Sequence, residues 1–122
     1  MSGKTVIIGA SPNPSRYAYL AAGRLISHGH KIVPLSIRRG VIFGQEIQDI
    51  RMKPGVEDVD TVTLYIGPRH QPEWYDYILG LKARRVIFNP GTENEEFAKR
   101  ICETGTEAIE ACTLVMLRTG QY

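Results

Sequence analysis

Thr5-Val6-Ile7-Ile8-Gly9-Ala10-Ser11-Pro12-Asn13-Pro14-Ser15-Arg16 contains the junction that decides the fold. Its first half is a short, unbroken run of apolar, β-branched residues ending in glycine, the pattern of a strand buried on both faces. Asn13 and Pro14 then supply a helix cap and a first-turn proline. Ala18, Ala21, Ala22, Leu25 and Ile26 follow at helical spacing up to Gly29. A doubly buried strand that turns at a glycine into an amphipathic helix is the opening of a parallel sheet covered by helices.

The same alternation continues outward. Lys31-Ile32-Val33-Pro34-Leu35 reads as a second strand. Gly40, Gly44, Pro54 and Gly55 then punctuate a stretch in which a helix is short or absent. Residues 61–66 give a third strand, broken by Gly67-Pro68 before a helix carrying Trp74, Tyr75, Ile78 and Leu81. Residues 85–88 form a fourth strand, and Asn89-Pro90-Gly91 a turn. Thr92 with Glu95 reads as a capping box for a helix through Phe97, Ala98 and Ile101 that ends at Gly105. A last strand over 107–112 precedes a short apolar tail at 113–117. Right-handed crossovers then imply an α/β fold of the Rossmann-like, doubly wound, three-layer sandwich type, with a five-stranded, mainly parallel sheet.

The bulk properties bound the function. A length of 122 residues suits one domain over 1–122, and 43% hydrophobic with 23% charged residues is ordinary globular composition. A net charge of +2, with basic residues scattered apart from Arg38-Arg39 and the 82–85 stretch, argues against nucleic acid as a partner. The two cysteines, Cys102 and Cys112, form no CxxC pair. With no apolar leader and no run near the roughly 20 residues of a membrane span, a cytoplasmic protein without a membrane partner is expected.

In a doubly wound sheet, ligands bind beyond the carboxyl ends of the strands near the point where strand order reverses. The sequence predicts this to lie at the loops after strands one and four, flanked by those after two and three: 9–16, 89–94, 35–40 and 67–70. In the first loop, free N–H groups at a helix start favour an anion such as a diphosphate. Gly9 and Ala10 let a ligand approach the backbone, Ser11 and Ser15 offer hydroxyls, and Arg16 adds a charge. This is not a GxGxxG loop. In the second, an NAD-binding domain places Asp or Glu at the strand end. Here Ser36-Ile37-Arg38-Arg39 stands instead, which favours a nucleotide with an extra ribose phosphate, so coenzyme A and NADP both qualify.

The opening Val6-Ile7-Ile8-Gly9-Ala10-Ser11-Pro12-Asn13-Pro14, together with His28-Gly29-His30-Lys31-Ile32-Val33-Pro34, Ile42-Phe43-Gly44, and Gly91 to Glu96 with Cys112 after it, resembles the small stand-alone CoA-binding domain proteins. These are similar to the nucleotide-binding domain of the succinyl-CoA ligase alpha subunit. The resemblance spans nearly the whole chain. It implies a CoA or acyl-CoA diphosphate over the first loop and ADP contacts from the loop after strand two, with the remaining loops closing the sides. Carried over residue by residue, it adds Asn13, Pro34 and Pro68 to Gly9, Ser11, Arg16 and Arg38, and Ser36 and Asn89 stand at the same strand ends. The chain departs from the family in having Ser36-Ile37 where Asn-Pro and a basic residue are common. It also lacks a C-terminal histidine that many relatives carry.

No nucleophile with a base, metal cluster or carboxylate pair is evident. The ligase relative works through a phosphorylated histidine on a domain absent here, so the resemblance implies binding without ligase chemistry. The expected function is CoA binding without evident catalysis, with an NADP-dependent oxidoreductase as the alternative and a protein partner or homodimer possible. His28 and His30 complement a helix end, His70 faces the expected cleft, and Cys102 and Cys112 read as packing residues.

Overall fold

Residues 4–8 of the opening stretch form β1 (Lys4–Ile8), and Val6, Ile7 and Ile8 are all buried. The computed structural model describes residues 3–122; residues 1 and 2, the first of the span assigned to one domain, lie outside it. In chain order there follow α1 (Tyr17–Ser27), β2 (Ile32–Ser36), β3 (Val41–Ile42), β4 (Gln45–Glu46), β5 (Gln48–Asp49), β6 (Val59–Leu64), α2 (Tyr75–Gly80), β7 (Arg85–Phe88), α3 (Glu95–Glu103), β8 (Glu107–Glu110) and α4 (Thr113–Arg118).

The main sheet has six strands in the order β5-β2-β1-β6-β7-β8, and every neighbouring pair is parallel. Successive side chains of a strand point to opposite faces. Val6 and Ile8 therefore join Val62, Leu64, Val86 and Phe88 in one core, beneath Trp74, Tyr75, Ile78, Phe97 and Ile101. Ile7 points the other way, into a second core with Ala18, Ala22, Leu25 and Leu117. Thus α2 and α3 cover one face and α1 and α4 the other, which makes the three layers. Phe97 anchors the first core, stacked on Tyr75 with ring centroids 4.2 Å apart and edge-on to Phe88 at 5.9 Å.

The fold is the Rossmann-like sandwich expected, with corrections. The sheet has six strands rather than five, because two residues of the unassigned stretch pair with the end of β2 as the edge strand β5. The hairpin β3–β4 precedes it, turning through Phe43 at φ 48° and Gly44 at φ 80°. The strand after β2 in the sheet is β1, and β6 follows on its other side. Strand order therefore reverses between β1 and β6, and not between the first and fourth principal strands.

The apolar tail forms helix α4, and β8 stops at Glu110. Helix α1 begins at Tyr17, not at Pro14. Asn13 is spent on a turn of its own, accepting hydrogen bonds from the Ser15 N–H at 3.0 Å and the Ser15 hydroxyl at 2.8 Å. Helix α3 is capped by Asn94, whose Oδ1 accepts from the Phe97 N–H at 3.1 Å. Thr92 instead donates its hydroxyl to the Asn89 carbonyl at 2.8 Å. Cys102 is exposed, since it lies one residue beyond the inward Phe97–Ile101 stripe and so about 100° around the helix.

Candidate functional site

Where strand order reverses, the loops after β1 and β6 must diverge to opposite faces, and a cleft opens between them. It holds about 820 Å³ and is lined from all four expected loops. Gly9, Ser11, Ser15 and Arg16 come from the first loop, Ser36 and Arg38 from the second, Gly67 and His70 from the third, and Gly91 and Thr92 from the fourth. That volume falls within the roughly 300–1,000 Å³ of small-molecule sites.

The first loop owes its shape to Gly9. At φ +94° it turns the chain, and both its N–H and that of Ala10 bond the Leu35 carbonyl, at 2.9 and 3.1 Å. A β-carbon there would stand 2.9 Å from Ile66 Cγ2 and 3.0 Å from the Tyr65 carbonyl. Glycine is thus required by the neighbouring β6 loop as well as by the turn. Ser11 is buried, and its Oγ accepts from the Asn13 N–H at 3.1 Å while its own proton remains to be donated. No side chain caps α1. Its leading N–H groups, beside the cleft-lining Tyr17 and Ala18, therefore lack a side-chain acceptor.

The ion pairs among the described residues engage Arg51, Arg84 and Arg100. Arg16 and Arg38, both lining the cleft, have no carboxylate partner. Arg51 also lines it, while Glu73 is the one acidic residue in the lining among the described residues. Arg16 and Arg38 thus set two unpaired guanidinium groups against one carboxylate at the positive end of α1, an arrangement with the charge and donors to hold a multiply charged anion. Ile37, Ile66 and Trp74 add apolar surface.

Five of the residues expected from the sequence lie off the cleft lining. Ala10 is wholly buried in the core beneath α1. Asn13 is exposed and holds the turn before α1. Pro34 sits within β2 opposite Ile7. The carbonyls of Lys31 and Leu35 bond β1, so Pro34 presents its missing N–H to the other side, ahead of the two-residue β5. Pro68 opens an exposed 3₁₀ turn. Asn89 is buried, and its amide joins β6 to α4.

Lining residues that sequence reasoning missed include Arg51, Tyr65, Glu73 and Trp74. Arg51 lies in the stretch without periodicity, and Tyr65 reads as ordinary strand. Tyr65 carries the one buried side-chain polar atom without a hydrogen-bond partner among the described residues, its Oη. Burial pushes its pKa up to about 12, offset in part by the nearby Thr113 and Thr63 hydroxyls, which bond each other at 2.8 Å.

The loops after β6 and β7 are tied together by Gln71, which is fully buried. Its amide nitrogen donates to the Ile66 carbonyl at 3.0 Å and the Thr92 carbonyl at 2.8 Å, and Asn94 donates to its oxygen at 3.0 Å. The far wall of the cleft is therefore cross-linked by the hydrogen bonds of a buried side chain. Among the described residues no three His, Cys, Asp or Glu side chains are grouped to hold a metal ion, and no helix is long and apolar enough to cross a membrane.

The chain is similar over 100% of its length to a crystallised protein described only as uncharacterized, at 52% identity and a TM-score of 0.96, covering 99% of that chain. A hypothetical protein from Pyrococcus horikoshii OT3 has 24% identity and a TM-score of 0.82, with 97% of this chain and 83% of that one covered. A Thermus thermophilus protein has 23% identity and a TM-score of 0.83, with 98% and 91% covered. The last two show the fold alone. No curated protein matches the chain. The model of the CoA binding domain matches residues 3–118, everything from β1 to the end of α4, and the chain belongs to that family.

Proposed function

We propose that this protein binds coenzyme A or an acyl-CoA in the cleft between β1 and β6, as a single domain and without catalysis of its own. The observation that carries the reading is the pair of cleft-lining guanidinium groups, Arg16 and Arg38, that no carboxylate neutralises. The donor set fits the ligand. Leading N–H groups of α1, the Ser11 hydroxyl and Arg16 suit a diphosphate. Arg38, toward the sheet edge, suits a phosphate on the ribose. The apolar surface of Ile66 and Trp74 suits the pantetheine arm or an acyl chain.

Titration calorimetry with CoA on the wild type, Arg16→Ala and Arg38→Ala tests the reading. Removing either charge-assisted hydrogen bond is expected to lower CoA affinity about 10- to 100-fold. The two substitutions should differ in kind. Arg16→Ala weakens CoA and dephospho-CoA alike, while Arg38→Ala weakens CoA more and narrows its advantage. Unchanged affinity in both variants would overturn the assignment of the cleft. NADP binding more tightly than CoA would favour an oxidoreductase.

A further inference from the structure

Ser36 and Asp49 are register partners at the ends of β2 and β5. In dinucleotide-binding sheets, a carboxylate at the end of the second strand accepts hydrogen bonds from ribose hydroxyls. Here the carboxylate stands one strand further out, and it is already engaged. Asp49 Oδ1 accepts from both the backbone N–H and the Nε of Arg51 at 2.9 Å, and Oδ2 accepts from Arg51 Nη2 at 3.1 Å. This two-point fork fixes the guanidinium plane and leaves its Nη1 group and one Nη2 hydrogen unused.

Arg51 lies between two concavities. Arg38 and Arg51 line both the main cleft and a neighbouring cavity of about 420 Å³. Arg39 also lines the second cavity, and its carboxylates are Asp49 and Glu46. Three guanidinium groups thus surround the sheet-edge end of the cleft, and one is held in place by the acid that would otherwise serve a ribose diol. The pairing with Arg51 holds the Asp49 carboxyl below the usual carboxylate range.

We propose that Asp49 and Arg51 together set the ribose chemistry of the ligand. Arg51 receives a phosphomonoester carried on the ribose, and by occupying Asp49 it denies that carboxylate to an unphosphorylated diol. The inference rests on the cleft binding CoA, and it names a specificity residue in a segment that carries no recognisable motif. Its consequence is a change of preference and not a uniform loss. Removing Arg51 deletes a cation and at the same time frees an anion beside the phosphate.

Calorimetric titration of CoA and dephospho-CoA against the wild type, Arg51→Ala and the double variant Asp49→Asn/Arg51→Ala tests this. The wild type should prefer CoA. In Arg51→Ala the ratio of the two affinities should fall about 10- to 100-fold, because CoA binds more weakly and dephospho-CoA, whose ribose diol gains the freed Asp49 carboxylate, binds more tightly. The double variant should regain part of that ratio, because the freed carboxylate is gone. Both side chains are substantially exposed, so the fold should persist. Arg51→Gln, which keeps the stem and loses the charge, gives the same result should alanine lower the thermal midpoint. If both ligands bind Arg51→Ala with a ratio within about threefold of wild type, the role of Arg51 is overturned and the CoA reading stands. If the wild type binds neither ligand, the CoA reading itself falls and takes this inference with it.

Discussion

Replacing Asn89 by leucine is expected to cost about 3–5 kcal/mol of folding stability, although the residue stands at a strand end that faces the cleft in sequence. Its Nδ2 donates to Thr63 Oγ1 at 2.6 Å and to the Leu64 carbonyl at 2.9 Å, and its Oδ1 accepts from the Thr113 N–H at 2.9 Å. All of this is buried. Leucine has similar size and none of these groups. The first amide of α4 is then stranded without a partner, at about 1–3 kcal/mol, while the Leu64 carbonyl and the Thr63 hydroxyl each lose one bond, at about 0.5–1.5 kcal/mol apiece. Urea unfolding at constant slope measures the loss. A variant within about 1 kcal/mol of wild type that had lost CoA binding would instead make Asn89 a ligand contact.

Gly9→Ala is expected to cost about 2–4 kcal/mol, from a strained backbone together with overpacking. It should also lower CoA affinity by tenfold or more on the order expected when a phosphate loop is displaced. Gly105→Ala separates the two causes. Gly105 also has a positive φ, +88°, but a β-carbon there meets nothing within 4 Å. That variant should show only the conformational cost of about 1–2 kcal/mol and leave CoA binding unchanged. Denaturant midpoints for stability and calorimetry for binding give both readings. Equal losses of stability in the two variants would show that the contact with Ile66 and Tyr65 contributes nothing.

The strands were legible wherever burial on both faces forced a continuous apolar run. Thr5 to Ile8, Ile32 to Leu35 and Val86 to Phe88 admit little else, and the glycine after the first marks the turn that shapes the cleft. The 41–58 stretch was not legible. Its edge strand and hairpin use two-residue ladders, and Phe43, Lys53 and Asp58 adopt positive φ that no local pattern announces. The reversal between β1 and β6 is hidden for the same reason. Strand order is a property of long-range pairing, and the missing helix after β2 removed the usual guide.

Two capping signals also misled. Asn13-Pro14 and Thr92-Glu95 both fit helix starts, yet each helix begins two or three residues later, because Asn13 closes its own turn and Asn94 offers a better-placed oxygen. Of the site, the residues legible from motif chemistry were those on loops, Gly9, Ser11, Arg16 and Arg38, with Ser36 at the last position of β2, and all line the cleft. Asn89 and Pro34 stand at or within strands, where polar and imino groups serve the sheet itself. Arg51 becomes visible only once β5 sets Asp49 beside Ser36.

The most direct test of the central claim is thermal unfolding of the wild type in the presence of CoA, dephospho-CoA, NAD, NADP and ATP at equal concentration. A ligand that binds only the folded state stabilises it in step with its affinity, by about 2.7 kcal/mol at one hundred times its dissociation constant. The cationic cleft without an acidic residue at the end of β2 predicts the largest rise in midpoint with CoA, a smaller one with dephospho-CoA and none with NAD. No shift with any of the five, or a shift with NADP or ATP that exceeds that with CoA, would contradict the assignment of this cleft to coenzyme A.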